Sequence, residues 1–304
     1  MEIVKIIFPI FSIIGLGYLL RRVGILRQES AHILNQFVYY VSLPALILIS
    51  FWRIDWYHPE TLATLGFNLF SILLFSGGLL IFVWFLRIRP EYKAALFAVS
   101  LVGNTIYMGF PIGHSVFGEE RFPEFVAAAT PHLVLGIALA ILVSEYFVIR
   151  SKKLKTYLKD FFLNPLILSL FGGILLSIFR IKPDFFSFVT APAEMLGSTA
   201  SPVALVTLGA FLYGKFAKEH MRLSFLAIST KLAIFPLFIA LVGKFIVPNT
   251  NGLSASFLAA AMPTAITVFV ISEKYNIAPR FVAHTIVLTT LVSIATISIT
   301  LLII

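Results

Sequence analysis

The sequence predicts an all-α integral membrane protein of ten transmembrane helices, built as two inverted five-helix repeats whose helices 4 and 9 are broken and cross. Three observations predict it: apolar segments of membrane length recur along the chain, basic residues gather at alternate ends of those segments, and one constant offset relates the two halves.

Of the 304 residues, 59% are hydrophobic and 12% charged, with a mean hydropathy of +0.99. A globular domain carries about 25% charged residues, so a soluble protein is excluded. The apolar runs are continuous, whereas barrel strands alternate apolar and polar residues, which makes the spans helices. The net charge of +9 is distributed as loop charge at segment ends, a topology signal and no footprint for nucleic acid. The chain has no cysteine, which excludes disulfides, thiolate metal sites and a cysteine nucleophile.

In order, the predicted helices cover 3–20, 33–51, 62–86, 94–117 and 125–148, then 165–179, 191–214, 223–247, 254–272 and 281–304. The first run is followed by Arg21 and Arg22 with no small-residue cleavage site, so it reads as helix 1 and not as a signal peptide. Residues 1–148 form the first repeat, 149–163 a cytoplasmic linker and 164–304 the second repeat.

The loops after odd-numbered helices hold sixteen Lys and Arg residues, the opposite loops six (Lys5, Arg53, Arg121, Arg180, Lys182 and Lys244), and Lys231 lies inside helix 8. The positive-inside rule then places both termini on the non-cytoplasmic side of the cell membrane and the basic run 150–159 in the cytoplasm. That run is also able to bind acidic lipid or a regulator.

An offset of 158 aligns Gly15 with Gly173, Arg22 with Arg180, Pro44 with Pro202 and Pro90 with Pro248. An odd number of helices per half makes the second half enter the membrane in the opposite sense. Within helix 4, Gly103, Asn104, Thr105, Gly109 and Pro111 gather in nine residues, and Gly and Pro are poor helix-interior residues. The offset carries Asn104 and Thr105 onto Met262 and Pro263, the expected second break. Irregular backbone at membrane depth is tolerated where protein buries it or water reaches it, so paired breaks mark a cavity. A half-helix N-terminus there carries about half a positive charge and free N–H groups, fit for a small anion.

The stretch GNTIYMGFPIGHSVFG (103–118) resembles the helix-4 signature of the auxin efflux carrier family, bacterial branch. VSLPALI around Pro44, NPLILSLFGGILL from Asn164, SPVALVTLGAFL from Ser201, KLAIFPLF from Lys231 and AAMPTAITVFVISEKYN around Pro263 resemble the same family, in order, across essentially the whole chain. The resemblance implies a scaffold of helices 1, 2, 6 and 7, a transport domain of helices 3–5 and 8–10, and a homodimer through the scaffold. It also implies small organic acids such as malate, malonate or auxin-like acids as substrates, with no cofactor. Plant members carry Asn-Pro at both crossover points; this chain has Asn104-Thr105 and Met262-Pro263, which leaves the substrate open. The short linker lacks the long hydrophilic loop of many plant carriers.

At the crossing, Asn104 and Thr105 either hold substrate or cap freed backbone, and Tyr107 either lines the cavity or packs. Pro111 and Pro263 act by exposing backbone groups. Lys231, a cation within an apolar run, either supplies charge to the site or tethers carbonyls, and Lys231→Ala, like Asn104→Ala, is expected to lower transport with folding largely intact. His114 and His132 are proton-relay candidates or satisfied polar contacts. Ser42 with Pro44 and Ser201 with Pro202 occupy matched places facing the substrate or shaping kinks. Glu145, Glu194 and Glu273 lie near helix ends. His, Asp and Glu show no metal-ligand spacing, and there is no P-loop, GxSxG elbow or HExxH, so an enzyme is not expected.

The expected function is secondary transport of a small organic anion by alternating access at the crossover. Two alternatives stand beside it. One is a sodium-coupled symporter resembling the bile-acid carriers, separated by sodium dependence of uptake. The other is a transporter-like membrane sensor that binds ligand without flux.

Overall fold

The structure is a computed structural model that describes residues 2–54, 59–149, 163, 165–181, 186–214, 221–246 and 251–304. The predicted basic run 150–159 lies outside the described residues.

Eleven helices account for most of these residues: α1 (Glu2–Arg22), α2 (Gln28–Trp52), α3 (Pro59–Phe85), α4 (Pro90–Leu101), α5 (Thr105–Val148), α6 (Pro165–Ile178), α7 (Ser187–Leu212), α8 (Met221–Ile246), α9 (Asn251–Ala261), α10 (Thr267–Tyr275) and α11 (Pro279–Ile303). Seven of them are long and apolar enough to cross a membrane, while α6 and most of α9 are shorter apolar helices. Bulky apolar side chains cover the outside, among them Phe8, Leu73, Phe225 and Phe245, the surface of a chain solvated by lipid. The protein is a multi-pass membrane protein.

Local chemistry sets the ends. Proline opens α3, α4, α6 and α11 in the first turn, where its missing N–H has no intrahelical role. Asn276, at φ +52°, closes α10 in the left-handed conformation that Asn tolerates. Gly118, at φ +66° and ψ 178°, interrupts α5, and only glycine takes that backbone conformation at no cost. There the chain folds back: a Cβ on Gly113 would meet the Phe125 ring at 2.6 Å, and one on Gly136 would meet Val102 at 3.8 Å. The predicted helices 4 and 5 therefore meet at one residue, closer than the boundaries 117 and 125 implied.

Besides Glu145–Ile149 at the end of α5, three stretches within the helices widen into π turns: Val38–Ser42, Thr105–Gly109 and Thr230–Ile234. Each ends two residues before a proline, namely Pro44, Pro111 and Pro236. A proline inside a helix lacks the N–H for the carbonyl four residues back, and its ring presses on that carbonyl. A wide turn moves the carbonyl away. This corrects the predicted break in helix 4: Gly109 and Pro111 lie in helical backbone, and only residues 102–104 leave it.

Packing is closest between α1 and α7 and between α2 and α6. The first pair approaches through glycine, since a Cβ on Gly209 would lie 1.9 Å from the Ile14 carbonyl oxygen and one on Gly17 2.1 Å from that of Val206. Such approach is how apolar helices gain contact where lipid removes the hydrophobic drive between them. On the other side, α3, α4, α5, α8, α9 and α11 pack around one another, with Phe75 of α3 against Phe235 of α8 at 4.4 Å between ring centroids.

Candidate functional site at the helix crossing

Two interruptions meet inside the second group. α4 stops at Leu101 because Val102 turns extended (φ −82°, ψ 109°), and Asn104 at φ −78°, ψ 53° is also non-helical. α9 stops at Ala261 and α10 begins at Thr267. Between them the two breaks pair as a short antiparallel ribbon. The Asn104 N–H donates to the Pro263 carbonyl at 2.6 Å, the Ala265 N–H donates to the Val102 carbonyl at 3.1 Å, and Gly103 lies opposite Thr264. Each break thus satisfies backbone groups freed by the other, which a buried break requires. Pro263 fits because its position only has to accept. The Thr264 hydroxyl donates to the Val99 carbonyl at 2.8 Å, and the Thr264 N–H donates to Thr289 Oγ1 of α11 at 3.3 Å.

A shift of 161 residues carries one ribbon bond onto the other, taking 102 to 263 and 104 to 265, three more than the offset of 158 read from the sequence.

Beside the ribbon is a cavity of about 20 Å³, room for a water molecule and too small for an organic acid. Residues 102–107 and 265–267 line it, together with Tyr39 and Leu43 of α2, Leu133 of α5 and Leu166 of α6. It therefore touches the first turns of both half-helices, the Thr105 end of α5 and the Thr267 end of α10. The first N–H groups of a helix have no acceptor in the turn before them, although in α10 the Val268 and Phe269 N–H groups donate to the Ala265 and Ile266 carbonyls at 3.1 and 2.8 Å. Asn104 is 4% exposed and Thr105 1%, and neither Asn104 Nδ2 nor Thr105 Oγ1 has a hydrogen-bond partner. Buried polar groups are nearly always paired, so two without a protein partner beside a cavity mark it as a candidate binding place for a polar ligand or water.

Among the sequence candidates, the structure brings Gly103, Asn104, Thr105 and Tyr107 to the cavity. The Tyr107 hydroxyl donates to Asn35 Oδ1 of α2 at 3.3 Å. Met262 packs behind, within 3.6 Å of where a Cβ on Gly103 would stand and 3.2 Å of one on Gly109, and Pro263 supplies a ribbon carbonyl.

Other candidates lie elsewhere. Lys231 is fully buried in the wide turn of α8, but it donates to the Ala260 carbonyl at 2.9 Å, in the last turn of α9, with Nζ 4.7 Å from the Phe235 ring centroid. It passes behind Gly103, where a Cβ would stand 3.1 Å from Nζ, and it does not line the cavity. That is the tethering role of the two foreseen. Ser42 pairs with Thr199 at 2.7 Å. Pro44 and Ser201 are half-buried and Pro202 is exposed; none of these four lines the cavity. His114 is exposed against Phe122, outside any interior relay. His132 is fully buried, Nε2 3.0 Å from Asn68 Oδ1, and Asn68 Nδ2 donates to Ser256 Oγ at 2.7 Å. Glu194 pairs with Arg53 at the surface.

Sequence reasoning missed Tyr39, Leu133, Leu166, Ile266 and Thr267. Tyr39 was within reach, since its wide turn precedes Pro44 as that of Tyr107 precedes Pro111. Ile266 and Thr267 lie where a shift of 161, three more than the offset used, carries Thr105 and Ile106.

Paired half-helices inside an apolar bundle, with open donors at a small cavity, define a membrane transport protein. The chain belongs to the membrane transport protein family, whose model matches residues 2–151 and 148–301, and thus to the auxin efflux carriers that its motifs resemble. It is similar to an uncharacterized transporter of Methanocaldococcus jannaschii, 26% identical over 96% of each chain. A Rhizobium meliloti protein named "Putative malonate transporter" is 26% identical over 98% of this chain and 94% of its own length. The mouse lysosomal cholesterol signaling protein is 24% identical over 93% of this chain, which spans 35% of that protein.

Proposed function

We propose that the protein is a secondary transporter of a small organic anion, a carboxylate of the malonate or malate type, working by alternating access at the crossing. The observation that carries this is the pair of unpartnered, buried donors, Asn104 Nδ2 and Thr105 Oγ1, beside a cavity at two half-helix N-termini. A carboxylate accepts from such donors and is stabilised by both helix ends. The relative named for malonate supports the size class.

Ten crossings follow if the Gly118 fold-back divides α5 and each pair of half-helices counts as one span. In this reading α1, α2, α6 and α7 form the scaffold and the remaining helices the moving domain. The cavity lies between them, with Tyr39, Leu43 and Leu166 from the scaffold. Loop charge puts both termini outside. The narrow cavity corresponds to a contracted state that widens as the domains separate.

The test is uptake of labelled malonate, malate, succinate and indole-3-acetate into proteoliposomes, with thermal unfolding in the same acids. Ligand-dependent stabilisation with flux, lost in Asn104→Ala, is the expected result. Stabilisation without flux would favour a sensor, and uptake only in sodium a symporter. Folded protein that no acid stabilises would overturn the reading.

A further inference from the structure

We propose that the site takes its substrate as a monoanion, so that a dicarboxylic acid is bound with one carboxyl protonated. This rests on the carboxylate reading above.

The inference follows from a charge count. Among the described residues, none that lines the cavity is charged, the only titratable ones being Tyr39 and Tyr107. Among the described residues the buried Lys, Arg, His, Asp and Glu side chains are Lys231, His132 and His284, and each bonds elsewhere; His284 of α11 pairs with Ser224 of α8 at 3.2 Å. Lys231 of α8 donates to the Ala260 carbonyl, where it offsets the partial negative charge of the α9 C-terminus. His132 neighbours the lining residue Leu133 but faces Asn68 of α3. What faces the cavity is two half-helix N-termini, each worth about half a positive charge, on helical stretches that begin at Thr105 and at Thr267. The α4 C-terminus at Val102 also reaches the cavity with about half a negative charge, which the remaining half of the Lys231 charge offsets, so the sum matches about one negative charge. The amide of Asn104 and the hydroxyl of Thr105 add hydrogen bonds but no charge.

A second carboxylate would enter with no counter-charge, and a buried unpaired charge is strongly disfavoured. A second carboxyl that keeps its proton avoids that penalty. Its O–H donates where a carboxylate could only accept, and Thr105 Oγ1 can accept it.

The experiment is calorimetric titration of purified wild-type protein with malonate and with monomethyl malonate, which carries one charge at every pH used. The series starts near the second ionisation of malonic acid and rises. The dissociation constant for malonate is expected to climb about tenfold per pH unit as the monoanion is depleted, while that of the ester stays level. The ester also reports any titration of the protein itself. A malonate affinity that stays level with pH would overturn the inference, because the dianion would then be bound. If both ligands weaken in step, the protein is titrating and the inference falls. If neither binds at any pH, the carboxylate reading fails and takes this inference with it.

Discussion

Asn104 and Lys231 are both buried polar residues at the crossing, and their surroundings separate their roles. Asn104 Nδ2 donates to nothing, so Asn104→Ala removes an unsatisfied amide and its melting temperature should match or exceed wild type. The same change removes a donor to the carboxylate, about 1.5–3 kcal/mol for a hydrogen bond to a charged group, or roughly 10- to 100-fold in affinity by calorimetry. Lys231 donates to the Ala260 carbonyl, so Lys231→Met orphans a buried acceptor and should lower stability by about 1–3 kcal/mol in thermal unfolding. The expectation that Lys231→Ala would spare folding is thereby revised. Residual flux of Lys231→Met, normalised to folded protein, should exceed that of Asn104→Ala; the reverse order would return Lys231 to the site.

At the scale of elements, two devices build the bundle. Wide turns ahead of Pro44, Pro111 and Pro236 place Tyr39, Tyr107 and Lys231 in helix segments with displaced carbonyls. Glycine lets α1 and α7 touch backbone to backbone. Gly209→Ala would drive a methyl into the Ile14 carbonyl, 1.9 Å from the built Cβ. The helices must then separate, a cost of about 1–3 kcal/mol or more, read as a lower melting temperature. Gly15→Ala on α1, the residue after Ile14, has nothing within 4 Å and should be neutral, which makes it the control on the facing helix.

For the whole molecule, loop charge fixes orientation before any packing does. The chain has no cysteine, so single cysteines report sidedness without background. Val23→Cys, beside Arg21 and Arg22, should react with a membrane-impermeant maleimide in inside-out vesicles and not in intact cells. Ile304→Cys should do the opposite. The same labelling pattern at both positions would break the ten-crossing reading, because an even number of spans puts the termini together, across the membrane from the loop that follows α1.

Much of this organisation was legible in the sequence. Apolar segments, loop charge and the cluster around Asn104 reflect hydropathy and backbone propensity, which act locally. They determined that the chain is a membrane-embedded helical protein, roughly where its spans run, and that breaks fall near 103 and 263. The tertiary structure decided which way polar atoms point: Asn104 and Thr105 to the cavity, Lys231 to Ala260, His132 to Asn68, and Ser42 to Thr199. It also decided how the two breaks meet, with Asn104 bonded to Pro263 and Ala265 to Val102. The physical reason is that lipid and protein interior are about equally apolar, so a membrane helix does not write its facing into an apolar stripe. Which side of each helix meets a neighbour, a cavity or lipid is settled only when the helices pack.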